Sequence, residues 1–219
     1  MIEKNIRKIF DDIRTYSPYP EKVTLVAVTK NRSVSEIREA VQCGVQVIGE
    51  NRVQEAEEKF GSLKEVLAEK HFIGHLQTNK ASKAVELFDM IESVDSERLA
   101  CALNEAAGGG GKVLPVLIEV YIARDPGKFG LLPAAVEDFL KKALLWPNLS
   151  IQGFMTIGRL DASERESLTY FQALRDLFEK MRGFPDVDLR HLSMGMSGDY
   201  IPALESGATM IRIGEGIFS

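Results

Sequence analysis

Cysteine is scarce in this chain of 219 residues. Cys43 and Cys101 lie far apart and in no Cys-x-x-Cys pattern. That pattern fits a reduced, cytoplasmic setting better than a disulfide framework or a zinc site. Histidine is nearly as rare, with 3 residues in no metal-ligand spacing. No stretch approaches the about 18 consecutive apolar residues of a membrane span. The start, Met1-Ile2-Glu3-Lys4, runs straight into an amphipathic pattern without the apolar core of a signal peptide. Positive charge is in deficit: 27 Lys and Arg against 32 Asp and Glu give a formal charge of -5. No net field then attracts nucleic acid or an anionic membrane, although a local anion site stays open. What remains, 45% hydrophobic and 27% charged, is the composition of a globular protein able to bury a full core. The length suits one domain and is a little short of the about 250 residues common for an α/β barrel.

Short β-rich runs alternate with longer helical patterns. The runs fall at 23–29, 45–49, 72–74, 90–94, 113–121, 151–157, 189–194 and 209–213. Several are apolar on both faces, as in Thr24-Leu25-Val26-Ala27-Val28, which is how strands read with helices on one side and a packed interior on the other. Ser33 with Glu36 and Ser163 with Glu166 form capping-box patterns, and Asp95-Ser96-Glu97 opens another helix with acid at its positive end. Leu168, Phe171, Leu174, Leu177, Phe178 and Met181 step by threes and fours along one buried helix face. Ile2, Ile6, Ile9 and Ile13 predict a further helix ahead of the first strand. Eight strand–helix repeats without an internal linker predict a single-domain (β/α)8 barrel over residues 1–219, since closure leaves no open sheet edge.

In such a barrel the working groups stand at the carboxyl ends of the strands, with phosphate commonly held after strands seven and eight. Those ends carry Lys30; Gly49-Glu50-Asn51; Gly74-His75 through Lys80; Ser93-Val94-Asp95; Asp125-Pro126-Gly127-Lys128-Phe129-Gly130; Met155-Thr156; Ser193 through Gly198; and Arg212-Ile213-Gly214-Glu215-Gly216. Met194-Gly195-Met196-Ser197-Gly198 and Gly214-Glu215-Gly216 together describe an anion cradle of backbone N–H groups and a hydroxyl. The alternative for either loop is turn punctuation, with Ser197 capping its helix. Asn51 through Gln54 reads as a helix cap with a return contact from Gln54, or as a ligand contact. Glu50 is a candidate carboxylate by position only. His71 and His191 are placed at strand starts and His75 on the catalytic side. Lys80, Lys83 and Lys128 read as solvated or anion-facing charges.

Strand alternation puts Lys30 on the face of Val28, Val26 and Thr24, with Leu25 and Ala27 toward the helices; Arg212 shares a face with Met210. Strands one and eight are neighbours in a closed barrel, about 4.8 Å apart. Two cations at one mouth, with partial desolvation, predict a lowered pKa for Lys30 and a nucleophile for an aldehyde. The alternative is a lysine snorkelling from a strand end.

Val26-Ala27-Val28-Thr29-Lys30, Gly49-Glu50-Asn51-Arg52-Val53-Gln54-Glu55, His71 through Lys80, Leu192 through Ser197 and Arg212 through Phe218 together resemble the pyridoxal 5'-phosphate homeostasis proteins. The strings run in that family's order from the first strand to the end of the chain. The family is similar in fold to the barrel domain of alanine racemase. The resemblance implies pyridoxal 5'-phosphate as cofactor, with Lys30 matching the lysine that forms the internal aldimine. It also implies Ser197 and the backbone of Gly214 and Glu215 at the phosphate, Arg212 facing the pyridine nitrogen, and Asn51, Ser193 and Met196 lining the pocket. Glu215 departs from the small hydroxyl residue often found there; a carboxylate cannot donate to phosphate, so the backbone must make that contact. Ser219 stands where a glycine is frequent.

Holding the cofactor is not catalysis, which also needs a base over the substrate carbon and a pocket that excludes water. An arginine at the ring nitrogen weakens the electron sink, Tyr121 is the nearest candidate for an opposite base, and few residues follow strand eight to form a second domain. The expected role is therefore sequestration of pyridoxal phosphate and its delivery to apo-enzymes by a monomer. A small racemase, a cofactor-free aldolase acting on a phosphosugar through Lys30, and a purely structural module are the alternatives. Loss of α-deuterium from alanine or serine, cleavage of sugar phosphates, and absence of carbonyl chemistry distinguish them.

Overall fold

Where the sequence repeats strand and helix, the chain winds a closed barrel. The computed structural model describes residues 1–123 and 129–219. Helix α1 (Ile2–Tyr16) precedes β1 (Thr24–Val28), and there follow α2 (Val34–Gln42), β2 (Val47–Glu50), α3 (Val53–Phe60), β3 (Glu69–Phe72), α4 (Ala81–Leu87), β4 (Met90–Val94) and α5 (Glu97–Gly109). The second half holds β5 (Leu114–Glu119), α6 (Val136–Leu140), β6 (Leu149–Met155), α7 (Glu164–Met181), β7 (His191–Ser193), α8 (Tyr200–Glu205), β8 (Met210–Ile213) and α9 (Glu215–Phe218). All eight strands are parallel and paired in chain order, and β1 closes on β8 with Val26 beside Arg212.

The two-residue period of the strands sorts the core into two parts. Val26, Val47, Met90, Leu117, Met155 and Met210 fill the barrel interior. Leu25, Ala27, Ile211 and Ile213 face outward into the larger cluster beneath the helices. The sorting of β1 is the one expected from its sequence. Helix α1 buries Ile2, Ile6, Ile9 and Ile13, each contributing about 2 kcal/mol of hydrophobic stabilisation. Both capping boxes form: Ser33 and Ser163 accept from the backbone of Glu36 and Glu166, whose side chains return to the caps. Ser96 caps α5.

Strand three differs from its expected place at 72–74 and spans Glu69–Phe72. The polar Glu69-Lys70-His71 reads as loop in sequence, but His71 is buried in the barrel against Glu92, and Glu69 stands exposed at the amino-terminal mouth. Gly74 lies beyond the strand, packed so close to Asn51 that a side chain there would meet its carbonyl at 2.4 Å. Strand five stops at Glu119, two residues before its expected end, and Tyr121 instead pairs its N–H with the carbonyl of Leu131.

Candidate active site at the carboxyl mouth of the barrel

The loop after β7 turns sharply at Gly195, whose φ of +92° and close approach to Ala203 and Tyr200 leave no room for a side chain. Ser197 does not cap the next helix; Asp199 holds the N-cap position of α8. Its Oγ instead accepts the N–H of Gly216 at 3.1 Å, joining the loops after β7 and β8. A Cβ at Gly216 would meet the Ile213 side chain at 2.9 Å, so the turn after β8 is tight against its own strand. The Ser197 O–H remains a donor pointing to whatever the loops enclose. Glu215 is exposed on the outside of the turn, as a carboxylate beside an anion cradle must be. Gly214 and Met196 are half-buried at the same rim.

Arg212 is 3% exposed and lies directly below this cradle on β8. It donates through Nη1 to Ser193 Oγ at 2.6 Å and through Nη2 to the Thr156 carbonyl at 2.8 Å. Burial pushes the guanidinium below its usual range, against the charges of Glu92, Asp199 and Glu119.

Lys30 follows β1 at the same mouth and is exposed. The partial desolvation expected for it is therefore absent, because its strand ends at Val28 and the chain turns outward. Its backbone is nevertheless fixed from both sides. Lys59 of α3 donates to the Thr29 carbonyl at 2.6 Å, to Glu50 at 2.9 Å and to Glu55 at 2.5 Å. Glu55 in turn accepts the N–H of Asn31 at 2.5 Å. Asn31 has φ +58°, a conformation that asparagine adopts more readily than most residues. Glu50 is fully buried and faces the helix layer, bonded to Thr29 and Lys59. It braces the lysine's strand end and does not line the mouth.

Asn51 is not the cap of α3; that position is held by Arg52, without a side-chain bond. The Asn51 Oδ1 atom is buried with no hydrogen-bond partner. An orphaned buried amide is costly, and calls for a ligand group to complete it. Beside it a cavity of about 340 Å³ is lined by Gln54, His75, Gln77 and Lys80, among others. His75 is 3.2 Å from Asp95 and stacks on Phe129 at 3.4 Å. Lys83 points away to Glu57 and Glu86 on the surface, and Lys128, with the rest of 124–128, lies outside the described residues.

Below the mouth runs a set of buried polar groups of which the sequence reading gave only Ser193 and Arg212. Ser193 Oγ donates to Glu92 at 2.5 Å, and Glu92 meets His71 Nδ1 at 2.7 Å. His71 is thus the third residue of β3 and wholly buried, not at a strand start. Burial opposes its charge, but the hydrogen bonds to Glu69 and Glu92 and their negative charges outweigh that and raise it from 6.5 to about 9. Burial likewise pushes Glu92 up, and His71, Arg212 and Ser193 together hold it below the usual carboxylate range. The readable signal was Glu92 itself, a carboxylate in the middle of the apolar run Met90 to Val94 with inward parity. A larger cavity of about 930 Å³ opens at the opposite, amino-terminal mouth between Glu69, Asp89, Gln152 and His191. It is separated from the cradle by the apolar interior layer and contains none of the loops after the strands. Among the described residues no group of three or more His, Cys, Asp or Glu could hold a metal ion, and no helix is long and apolar enough to cross a membrane.

The donor set of the carboxyl mouth suits a planar aromatic phosphate: a hydroxyl and N–H groups for the anion, a cation beneath, an unpaired amide at the side and a free amine at the rim. Comparison with known proteins agrees with this. The family profile described as the alanine racemase N-terminal domain matches residues 2–219. A pyridoxal phosphate homeostasis protein of Aquifex aeolicus is 38% identical over 89% of this chain and 85% of its own. The structure of PipY of Synechococcus elongatus with PLP bound superposes with a TM-score of 0.90 at 36% identity, covering 100% of both chains. An alanine racemase of Streptomyces lavendulae, 18% identical with a TM-score of 0.74, covers 99% of this chain and 56% of its own, and shares the fold. With its barrel, its mouth and these relatives, the chain belongs to the alanine racemase N-terminal domain family, among its pyridoxal phosphate homeostasis proteins.

Proposed function

We propose that this protein binds pyridoxal 5'-phosphate at the carboxyl mouth of its barrel and acts in the homeostasis of that cofactor. The observation that carries the reading is the Ser197–Gly216 cradle set directly over Arg212, on the strand paired with that of Lys30. Ser197 and the backbone of Gly214, Glu215 and Gly216 hold the phosphate. Arg212 takes the ring nitrogen, with Ser193 holding the guanidinium in place. Asn51 and Met196 line the ring. Bound there, the cofactor supplies an aldehyde that a lysine amine takes up reversibly with loss of water. The Lys59 clamp on Thr29, with Glu55 on Asn31, fixes the backbone on both sides of Lys30, the amine that would take up that aldehyde. A guanidinium opposite the ring nitrogen disfavours its protonation, which suits holding the cofactor better than drawing electrons through it. Lys30 stands exposed at the rim, as a site that must give up its ligand to apo-enzymes requires. The scarce cysteines, free in this structure, suit the cytoplasm.

Incubation with pyridoxal phosphate, borohydride reduction and peptide mass spectrometry test the reading. The pyridoxyl group is expected on Lys30 and absent from the Lys30→Ala protein. Labelling spread over surface lysines and unchanged by the substitution would count against it and bring the phosphosugar alternative forward.

A further inference from the structure

A hydrogen-bonded chain of polar groups runs through the largely apolar barrel interior. It crosses from Arg212 on β8 through Ser193 on β7 to Glu92 on β4 and His71 on β3, and reaches Glu69 at the amino-terminal mouth. Glu92, His71 and Ser193 have no exposed surface. Two ionisable side chains without solvent are expensive to fold around, and an apolar pair of similar volume would commonly be as stable or more so.

The chemistry of the chain fixes its direction. Ser193 has one O–H; it accepts from Arg212 and so donates to Glu92. Glu92 accepts that proton on one oxygen, and its other oxygen shares a proton with His71 Nδ1 at 2.7 Å. The other ring nitrogen of His71 faces Glu69 at 3.4 Å, so carboxylates stand at both nitrogens and favour the imidazolium. Glu92 is in this way the buried counter-charge of Arg212, delivered through a hydroxyl that also fixes the guanidinium plane. Two of the five guanidinium N–H groups are used by Ser193 and Thr156.

We propose that Glu92 and His71 are positioning residues for the ring end of bound pyridoxal phosphate, orienting Arg212 through Ser193 and setting the positive charge it presents to the ring nitrogen. The proposal rests on the cofactor reading above. Neither residue touches the cofactor. The charged groups facing this chain are Glu119 and Asp199 toward Arg212, Glu69 toward His71, and His191, held below its usual range by burial and by the Arg190 and His71 charges. Glu92 is the carboxylate joined to the guanidinium through Ser193, and its charge is the largest of the three acting on Arg212.

The test is the pH dependence of the visible absorption of the bound cofactor in the full-length protein. Glu92→Gln keeps the shape and an acceptor for Ser193 but removes the charge. The more positive field at the ring is expected to lower the pH midpoint of the absorption change by about one unit. Glu92→Asp is expected to bring it back toward the wild-type value. Should the single glutamine variant not fold, Glu92→Gln with His71→Gln removes the buried carboxylate together with the imidazolium it pairs with, and is expected to lower the midpoint in the same sense by a smaller amount. A midpoint unchanged in a folded, cofactor-loaded variant overturns the proposal, because a purely structural role would lower stability and leave the spectrum alone. Wild-type protein that takes up no cofactor overturns the function itself together with it, and the two failures are thereby distinct.

Discussion

Lys59→Met is expected to lower stability at pH 7 by about 3 to 5 kcal/mol, as removal of one partner of a buried ion pair commonly does. Lys59 is 13% exposed and its three acceptors converge on one ammonium, whereas the carboxylate it serves, Glu50, has no exposed surface. One Glu50 oxygen already lacks a partner. Burial pushes the Glu50 carboxyl up from 4.5, against the hydrogen bonds of Lys59 and Thr29. Without the ammonium it rises further, and its folded-state value then stands well above that of the unfolded chain. Such a group favours folding below the unfolded value and loses that contribution as pH rises through the folded one. The penalty of the variant is therefore full at neutral pH and shrinks as pH falls toward 4.5. Urea unfolding at several pH values measures this, and Lys59→Met with Glu50→Gln recovers most of the loss. Lys83→Met, which breaks only surface pairs with Glu57 and Glu86, is the control expected to change little. A Lys59 variant as stable as that control at pH 7 would contradict the account of the clamp. Borohydride trapping of the variant reads its second consequence, since Thr29 and Asn31 no longer hold Lys30 between them.

The second large effect is alkaline. His71 is raised from 6.5 to about 9 in the folded protein, so its protonated form stabilises the fold. That contribution is fully present below about pH 6.5 and is lost as pH rises through about 9. The gap corresponds to about 3 kcal/mol at roughly 1.4 kcal/mol per unit. Glu92 has the opposite sense: its lowered value stabilises above 4.5 and fails in acid. The pair is thus at its best between the two, and a plot of unfolding free energy against pH should fall across the range from 6.5 to 9. In His71→Gln that fall is expected to be largely gone. A wild-type curve flat through this range would mean that His71 is neutral and that Glu92 is held by Ser193 and Arg212 alone.

Much of the architecture was legible because its signals are local. Strands apolar on both faces, two Ser-x-x-Glu caps and the isoleucine stripe of α1 each specify their element, and closure follows from counting them. The mouth was legible through the order of the strand ends: Ser197, Gly214 and Arg212 are brought together, and Lys30 is on the adjacent strand. What the sequence did not disclose is contact between residues distant along it. Ser197 bridges to Gly216 rather than capping α8, Glu50 turns to the helices, and Asn51 is left with an unpaired oxygen. Each outcome depends on which neighbour the fold supplies. Strand three was misplaced because its polarity, fit for a loop by composition, is satisfied inside the barrel by Glu92. Lys30, expected to be partly desolvated, is exposed for a related reason: strand parity gives a face but not the point at which the chain leaves the sheet.

The most direct test of the whole account is a crystal structure after soaking with pyridoxal phosphate. The phosphate is expected between the Ser197 hydroxyl and the backbone N–H groups from Gly214 to Gly216, the ring nitrogen on Arg212, and the aldehyde carbon bonded to Lys30 Nζ. A cofactor seated in the amino-terminal cavity beside His191 and Glu69, or bonded to another lysine with the cradle left to solvent, would contradict it.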